Sequence, residues 1–109
     1  MKLEELVTYL MNPEQLEQLY KERGLNIDSE SEPLLIYMEG EIDLKSEIVF
    51  FESDETEDNL IFEKDGKRFV NIWDIDYAIY LLEILDLLDK GYSNVKIAQR
   101  LIEYRLNDA

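Results

Sequence analysis

The spacing of apolar residues changes twice along this chain, and that change restricts the fold more than any other feature. Helical spacing holds over residues 2–11, alternation of apolar and charged residues holds over 42–52, and helical spacing returns from residue 74. Helices at both ends with strands between them predict an α+β domain, because each element must bury its apolar face against another layer. With 109 residues, 46% of them hydrophobic, the chain is long enough for a single domain with its own core, over residues 1–109.

Two N-terminal helices are predicted. The first covers residues 2–11, and Asn12-Pro13 is typical of a cap followed by the first position of a second helix. Gly24 is a natural helix stop. The inward residues of the second helix are predicted to be Leu16, Leu19 and Tyr20.

The middle of the chain predicts an antiparallel β-meander of three to four strands over residues 34–73. Residues 34–38 form a dense apolar run, and the alternation from Ile42 to Glu52 indicates a half-buried strand. Polar loops are predicted at residues 28–33 and 53–59. Asp65-Gly66, flanked by residues 60–64 and 68–72, is the strongest short hairpin signal in the sequence.

Two helices are predicted after the strands. The first and longest runs from Asp74 to Gly91 and is so apolar that most of its surface should be buried. Ser93 caps the second. The inward residues of that last helix are predicted to be Val95, Ala98, Leu101, Ile102 and Leu106.

The composition excludes several classes of chemistry. The chain contains neither Cys nor His, so Ser–His and Cys–His mechanisms, disulfides and thiolate metal ligands are ruled out. We therefore expect that the chain is not an enzyme and has no catalytic residue. We also expect that it binds no metal and no cofactor. The N-terminus lacks a signal-peptide pattern and the longest apolar run, residues 77–82, is too short for a membrane span, so a cytoplasmic location is expected.

Negative charge is concentrated in one third of the chain. The formal net charge is −15, of which residues 28–65 carry −12 through 14 acidic and two basic side chains. One interpretation is a solvated face that keeps a small protein soluble. The other is a surface that attracts a basic protein and excludes direct binding of nucleic acid.

The second interpretation names candidate contact residues. All of them are expected to be exposed in the predicted strands and loops, and each carries a carboxylate that is normally ionised at neutral pH. The candidates are Glu39, Glu41, Asp43, Glu47, Glu52, Asp54, Glu55, Glu57 and Asp58. Residues 54–59 lack the ligand spacing of an EF-hand loop, so an acidic loop is predicted there rather than a calcium site.

Two resemblances bear on function. Residues 91–101, Gly-Tyr-Ser-Asn-Val-Lys-Ile-Ala-Gln-Arg-Leu, resemble the opening of a helix-turn-helix of bacterial regulators, but no recognition helix follows before Ala109, and a Ser-capped packing helix is preferred. In size, acidity and helix–strand–helix layout the whole chain is similar to the small immunity proteins that neutralise bacterial nuclease toxins. That resemblance implies a one-to-one complex that blocks a basic toxin, and it carries over no functional residue.

Three alternatives to such an inhibitor remain open. A structural or adaptor subunit would dock through an exposed apolar surface, and a transcriptional regulator would use the last helix. An enzyme is the least favoured, since only carboxylate chemistry is available.

Overall fold

The computed structural model describes residues 1–25, 34–57 and 59–108, with the side chain of Asp108 excepted. The predicted loop at residues 28–33 lies outside this part of the chain. The elements are α1 Leu3–Met11, a 3₁₀ turn Pro13–Gln15, α2 Leu16–Glu22, β1 Leu35–Glu39, β2 Ile48–Phe51, α3 Ser53–Thr56, β3 Ile61–Lys64, β4 Lys67–Asp74, α4 Ile75–Ile84 and α5 Asn94–Asp108.

The fold is α+β, as predicted, with a four-stranded antiparallel sheet. The strand order is β2-β1-β4-β3, which corrects the predicted meander. A meander pairs each strand with the next one along the chain, whereas β2 and β3 lie here at opposite edges of the sheet. The chain between these two strands must therefore cross the sheet.

One face of the sheet carries the main hydrophobic core. Ile36 and Met38 of β1 and Ile48 and Phe50 of β2 point to this face, where they pack against buried residues of the helices. In β4 the register skips one residue opposite β1, so this β-bulge turns both Ile72 and Trp73 toward the same core. The helical residues of this core include Leu3, Leu6, Val7 and Leu10 of α1, Ala78, Leu81 and Leu82 of α4, and Ile97, Ala98 and Leu101 of α5.

The N-terminal helices follow the prediction closely. Leu16 and Leu19 are buried and Tyr20 is half-buried, and Gly24 ends α2 with a positive φ of 69°. Asn12 differs in detail, because its side chain makes no capping bond and its Nδ2 instead donates to the carbonyl of Thr8 at 2.8 Å.

The predicted strand from Ile42 to Glu52 is too long. Only Ile48–Phe51 form β2, because polar side chains fold residues 41–46 into turns. The Oδ1 of Asp43 accepts from the backbone N–H of Lys45 at 2.8 Å, and the Oγ of Ser46 donates to the carbonyl of Glu41 at 2.7 Å. Ile42 and Leu44 still pack against the main core, which explains their apolar spacing without a strand.

The predicted helix from Asp74 to Gly91 is also too long. Asp74 does cap it, since its Oδ1 accepts from the backbone N–H of Tyr77 at 2.7 Å, but α4 ends at Ile84. Asp86 adopts a positive φ of 54°, and the N–H of Leu87 then donates back to the carbonyl of Leu82 at 3.0 Å. This Schellman closure returns Leu87 to the core, where it is 2% exposed.

The last helix, α5, is the longest of the described helices. The Oγ of Ser93 accepts from the N–H of Lys96 at 3.2 Å, which confirms the predicted cap. Ala98 and Leu101 are buried as predicted. Val95 and Leu106 are exposed, so their inward placement was wrong.

The Asp65-Gly66 hairpin is confirmed, with φ angles of 53° and 78° at its two turn residues. We predict that Gly66→Val lowers the free energy of unfolding by about 1–3 kcal/mol, because a β-branched residue resists this left-handed backbone. A Cβ at Gly66 would meet no atom within 4 Å, so the loss comes from the backbone alone. Urea melts with superimposable midpoints for the two chains would refute this account.

Candidate functional site: an acidic crossover on the sheet

The connection from β2 to β3 crosses the face of the sheet that the main core leaves uncovered. A second, smaller core lies under it, formed by Tyr37, Phe51 and Phe69 with Phe62 packed beside them. The rings meet edge to face, with the centroid of Phe51 5.4 Å from Tyr37 and 5.2 Å from Phe69. The crossover therefore completes a third layer rather than extending into solvent as a free loop.

Contacts on both sides hold the crossover in place. The Oη of Tyr37 donates to the carbonyl of Asn59 at 2.6 Å, and Thr56 is 1% exposed. The Nζ of Lys64 lies 2.7 Å from Glu55 Oε2 and 5.9 Å from the centroid of the Phe51 ring. An aromatic base, a buried threonine and a salt bridge thus fix the backbone that carries the acidic residues.

The predicted acidic loop over residues 53–59 contains a short helix instead. Residues Ser53–Thr56 form α3, and Glu57 ends it in the left-handed conformation with a φ of 55°. Such a single turn is too short to be recognised from spacing, and the burial of Thr56 gives no periodic signal.

Four of the predicted contact residues lie together on this crossover. Glu52, Asp54, Glu55 and Glu57 are exposed, and we call them the α3 acidic surface. Lys64 neutralises Glu55, whereas the other three carboxylates form no ion pair within the described ranges. Asp58 lies outside the described residues.

The remaining four predicted contact residues lie at the end of β1 and in the connection from β1 to β2. Glu39, Glu41, Asp43 and Glu47 border a shallow concavity that also includes Lys45 and Arg68. Basic groups from other parts of the chain reduce the negative charge of this concavity. Glu39 pairs with Lys67 at 3.7 Å, and Glu47 pairs with the terminal ammonium of Met1 and with Lys2. The fold therefore divides the predicted acidic site and leaves its excess charge on the α3 acidic surface.

Glu47 is held strongly in its ionised form. Its carboxylate accepts from Lys2 Nζ at 2.6 Å and from the terminal ammonium of Met1 at 2.8 Å, and these bonds lower the pKa of Glu47 from 4.5 to about 2. The backbone carbonyl of Met1 also accepts from the N–H of Ile48. Together with the ion pairs of Glu47, this hydrogen bond holds the N-terminus beside β2.

This pKa predicts a pH-dependent contribution to stability. A carboxylate with a lowered pKa stabilises the folded state above about pH 4.5, and the contribution is lost as the pH falls toward 2. We expect Glu47→Gln to be less stable than Glu41→Gln at pH 7, although both remove one negative charge. The difference between the two melting temperatures should vanish in scans near pH 2, and a constant difference would contradict the assignment.

No cluster of three or more potential metal-ligand side chains converges among the described residues, and none of their helices combines the length and apolarity needed to cross a bilayer.

On α4, sequence reasoning missed an exposed surface. Tyr77, Tyr80 and Ile84 are 38%, 53% and 46% exposed, although the apolar sequence predicted burial. The sequence did contain one indication that this side of the helix is exposed, because the acidic residues Asp76 and Glu83 directly precede Tyr77 and Ile84.

No family model, curated protein or solved structure matches this chain.

Proposed function

We propose that this chain is a binding protein that engages a basic protein through the α3 acidic surface. The observation that carries the proposal is the exposure of Glu52, Asp54 and Glu57 on a backbone fixed against the smaller core. A charged surface that is already ordered loses little conformational entropy on binding.

Salt limits the distance over which exposed carboxylates attract a basic partner. At physiological ionic strength, exposed charges are screened beyond about 8 Å, so charges act on a partner only when they are clustered near the contact. The α3 acidic surface meets that condition, whereas ion pairs reduce the charge of the other acidic group. Clustered carboxylates steer a basic partner during encounter and select against acidic ones.

The narrowest form of the proposal is a one-to-one inhibitor of the immunity type. In such a complex the carboxylates would occupy a basic site that otherwise holds nucleic-acid phosphates. The overall size, the charge and the rigid crossover support this form.

A second candidate is an adaptor or structural subunit that docks through α4. The exposed Tyr77, Tyr80 and Ile84 favour it, because tyrosine side chains are enriched among the residues that dominate binding energy.

The salt dependence of association tests the first proposal. The chain is immobilised, a bound protein is isolated from the source cells, and its association rate is measured by stopped flow across a salt series. We expect the association rate to fall steeply with salt, because screening removes the steering.

The dissociation rate serves as the internal control, since it depends less on long-range charge. An association rate that is indifferent to salt would contradict the electrostatic proposal and favour an adaptor that docks through the apolar side chains of Tyr77, Tyr80 and Ile84.

A further inference from the structure

Helix α4 presents an exposed face of mixed aromatic and acidic residues. Tyr77, Tyr80 and Ile84 lie at positions i, i+3 and i+7 and so share one side of the helix, with Asp76 and Glu83 beside them. We call these five residues the α4 tyrosine face. Leu81 and Leu82 point away from it into the main core, so packing on the opposite side fixes the helix itself.

The tyrosine rings on this face are oriented by their neighbours. The ring centroids of Tyr77 and Tyr80 are 6.3 Å apart with an interplanar angle of 45°. The hydroxyl of Tyr77 lies 3.3 Å from that of Tyr104 on α5, within hydrogen-bonding distance. The rings therefore expose their surfaces to solvent while one hydroxyl is held by the neighbouring helix.

The charge on this face has one sign. Helix α4 contains Asp76 and Glu83 but no lysine or arginine. Burial, assisted by the negative charge of the Asp76 carboxylate, raises the pKa of Tyr20 on α2 to about 12. On the flanking segments, Lys90 and Arg100 are engaged with acidic partners, Asp86 at 3.1 Å and Glu103 at 3.7 Å.

From this combination we propose that the α4 tyrosine face binds arginine side chains of a basic protein. A guanidinium stacks on a tyrosine ring through cation–π attraction and donates at the same time to a neighbouring carboxylate. Asp76 and Glu83 supply the carboxylates, Tyr77 and Tyr80 the rings, and Ile84 an apolar border. Lysine lacks the planar group and fits this arrangement less well.

This surface is distinct from the α3 acidic surface. The α4 helix packs on the main core, whereas α3 covers the opposite face of the sheet. The inference therefore does not depend on the proposed function, and changes to residues of α4 test it separately.

The test uses the full chain with ¹³C-labelled tyrosine and ¹⁵N-labelled backbone. It is titrated with a decapeptide of alternating arginine and glycine and with the matching lysine peptide, at about physiological ionic strength. We expect the arginine peptide to shift the ring resonances of Tyr77 and Tyr80 but not those of the buried Tyr37. Tyr80→Ala should weaken arginine-peptide binding by roughly three- to tenfold, while Tyr80→Phe, which keeps the ring, should not.

Two outcomes would overturn this inference. Backbone shifts confined to residues 52–57, with unchanged tyrosine rings, would reject the α4 site while leaving the proposed function intact. Self-association of the chain in sedimentation, abolished by Tyr80→Ala, would show that a second copy covers the face. Ring shifts without any change at residues 52–57 would instead support the α4 site and weaken the proposed function.

Discussion

Replacement of Leu82 by alanine is expected to lower the free energy of unfolding by about 2–5 kcal/mol. Leu82 is 1% exposed and lies in the main core, so the change removes buried apolar surface and leaves a cavity between α4 and the packed layers. Urea denaturation followed by circular dichroism measures the change, and the denaturant slope should stay constant.

The control for Leu82→Ala lies on the same helix. Ile84 is 46% exposed, so Ile84→Ala should shift stability far less, although it removes a side chain of the same size. Equal effects of the two substitutions would show that α4 does not pack as described.

Neutralising the α3 acidic surface is expected to separate binding from stability. The triple variant Glu52→Gln, Asp54→Asn, Glu57→Gln removes three exposed carboxylates and keeps Glu55, which pairs with Lys64. Less like-charge repulsion should hold or raise the melting temperature, while affinity for a basic partner should fall by roughly tenfold or more. Calorimetric melting and titration of the same samples measure both quantities.

Loss of stability in this triple variant would show that the carboxylates support the crossover rather than a partner. Unchanged affinity of the triple variant for a basic partner would show that the α3 acidic surface serves solubility and not binding.

The features that the sequence predicted well depend on neighbouring residues. The hairpin at Asp65-Gly66 needs only positive φ angles at two adjacent positions. The cap at Ser93 and the stop at Gly24 likewise depend on one turn of helix. Such signals are complete within a few residues, so they can be read without knowing the fold.

The features that were missed depend on distant contacts. The pairing of β1 with β4 places β2 and β3 at opposite edges, and no local pattern encodes that order. Helix α4 ends early because Leu87 gains a place in the core when Asp86 turns left-handed. Aspartate tolerates that conformation, but the sequence does not show which of several aspartates adopts it.

The nine carboxylates predicted to contact a partner stay a prediction, but the structure shows which of the described ones are paired. Glu47 is neutralised by Lys2, 45 residues away in the chain, and charge density along the sequence does not indicate this. Pairing of this kind decides which charges remain available to a partner, and it emerges only when the fold brings the N-terminus beside β2.

The most direct test of the central claim compares two variants of equal net charge. One is the α3 triple variant, and the other is Glu14→Gln, Glu17→Gln, Glu22→Gln, three exposed changes around α2. Association rates with the isolated basic partner are measured for both at low salt. If the α3 acidic surface makes the contact, the α3 variant should associate roughly tenfold more slowly than wild type and the α2 variant should stay close to it. Equal slowing of both variants would show that overall charge, and not this surface, attracts the partner.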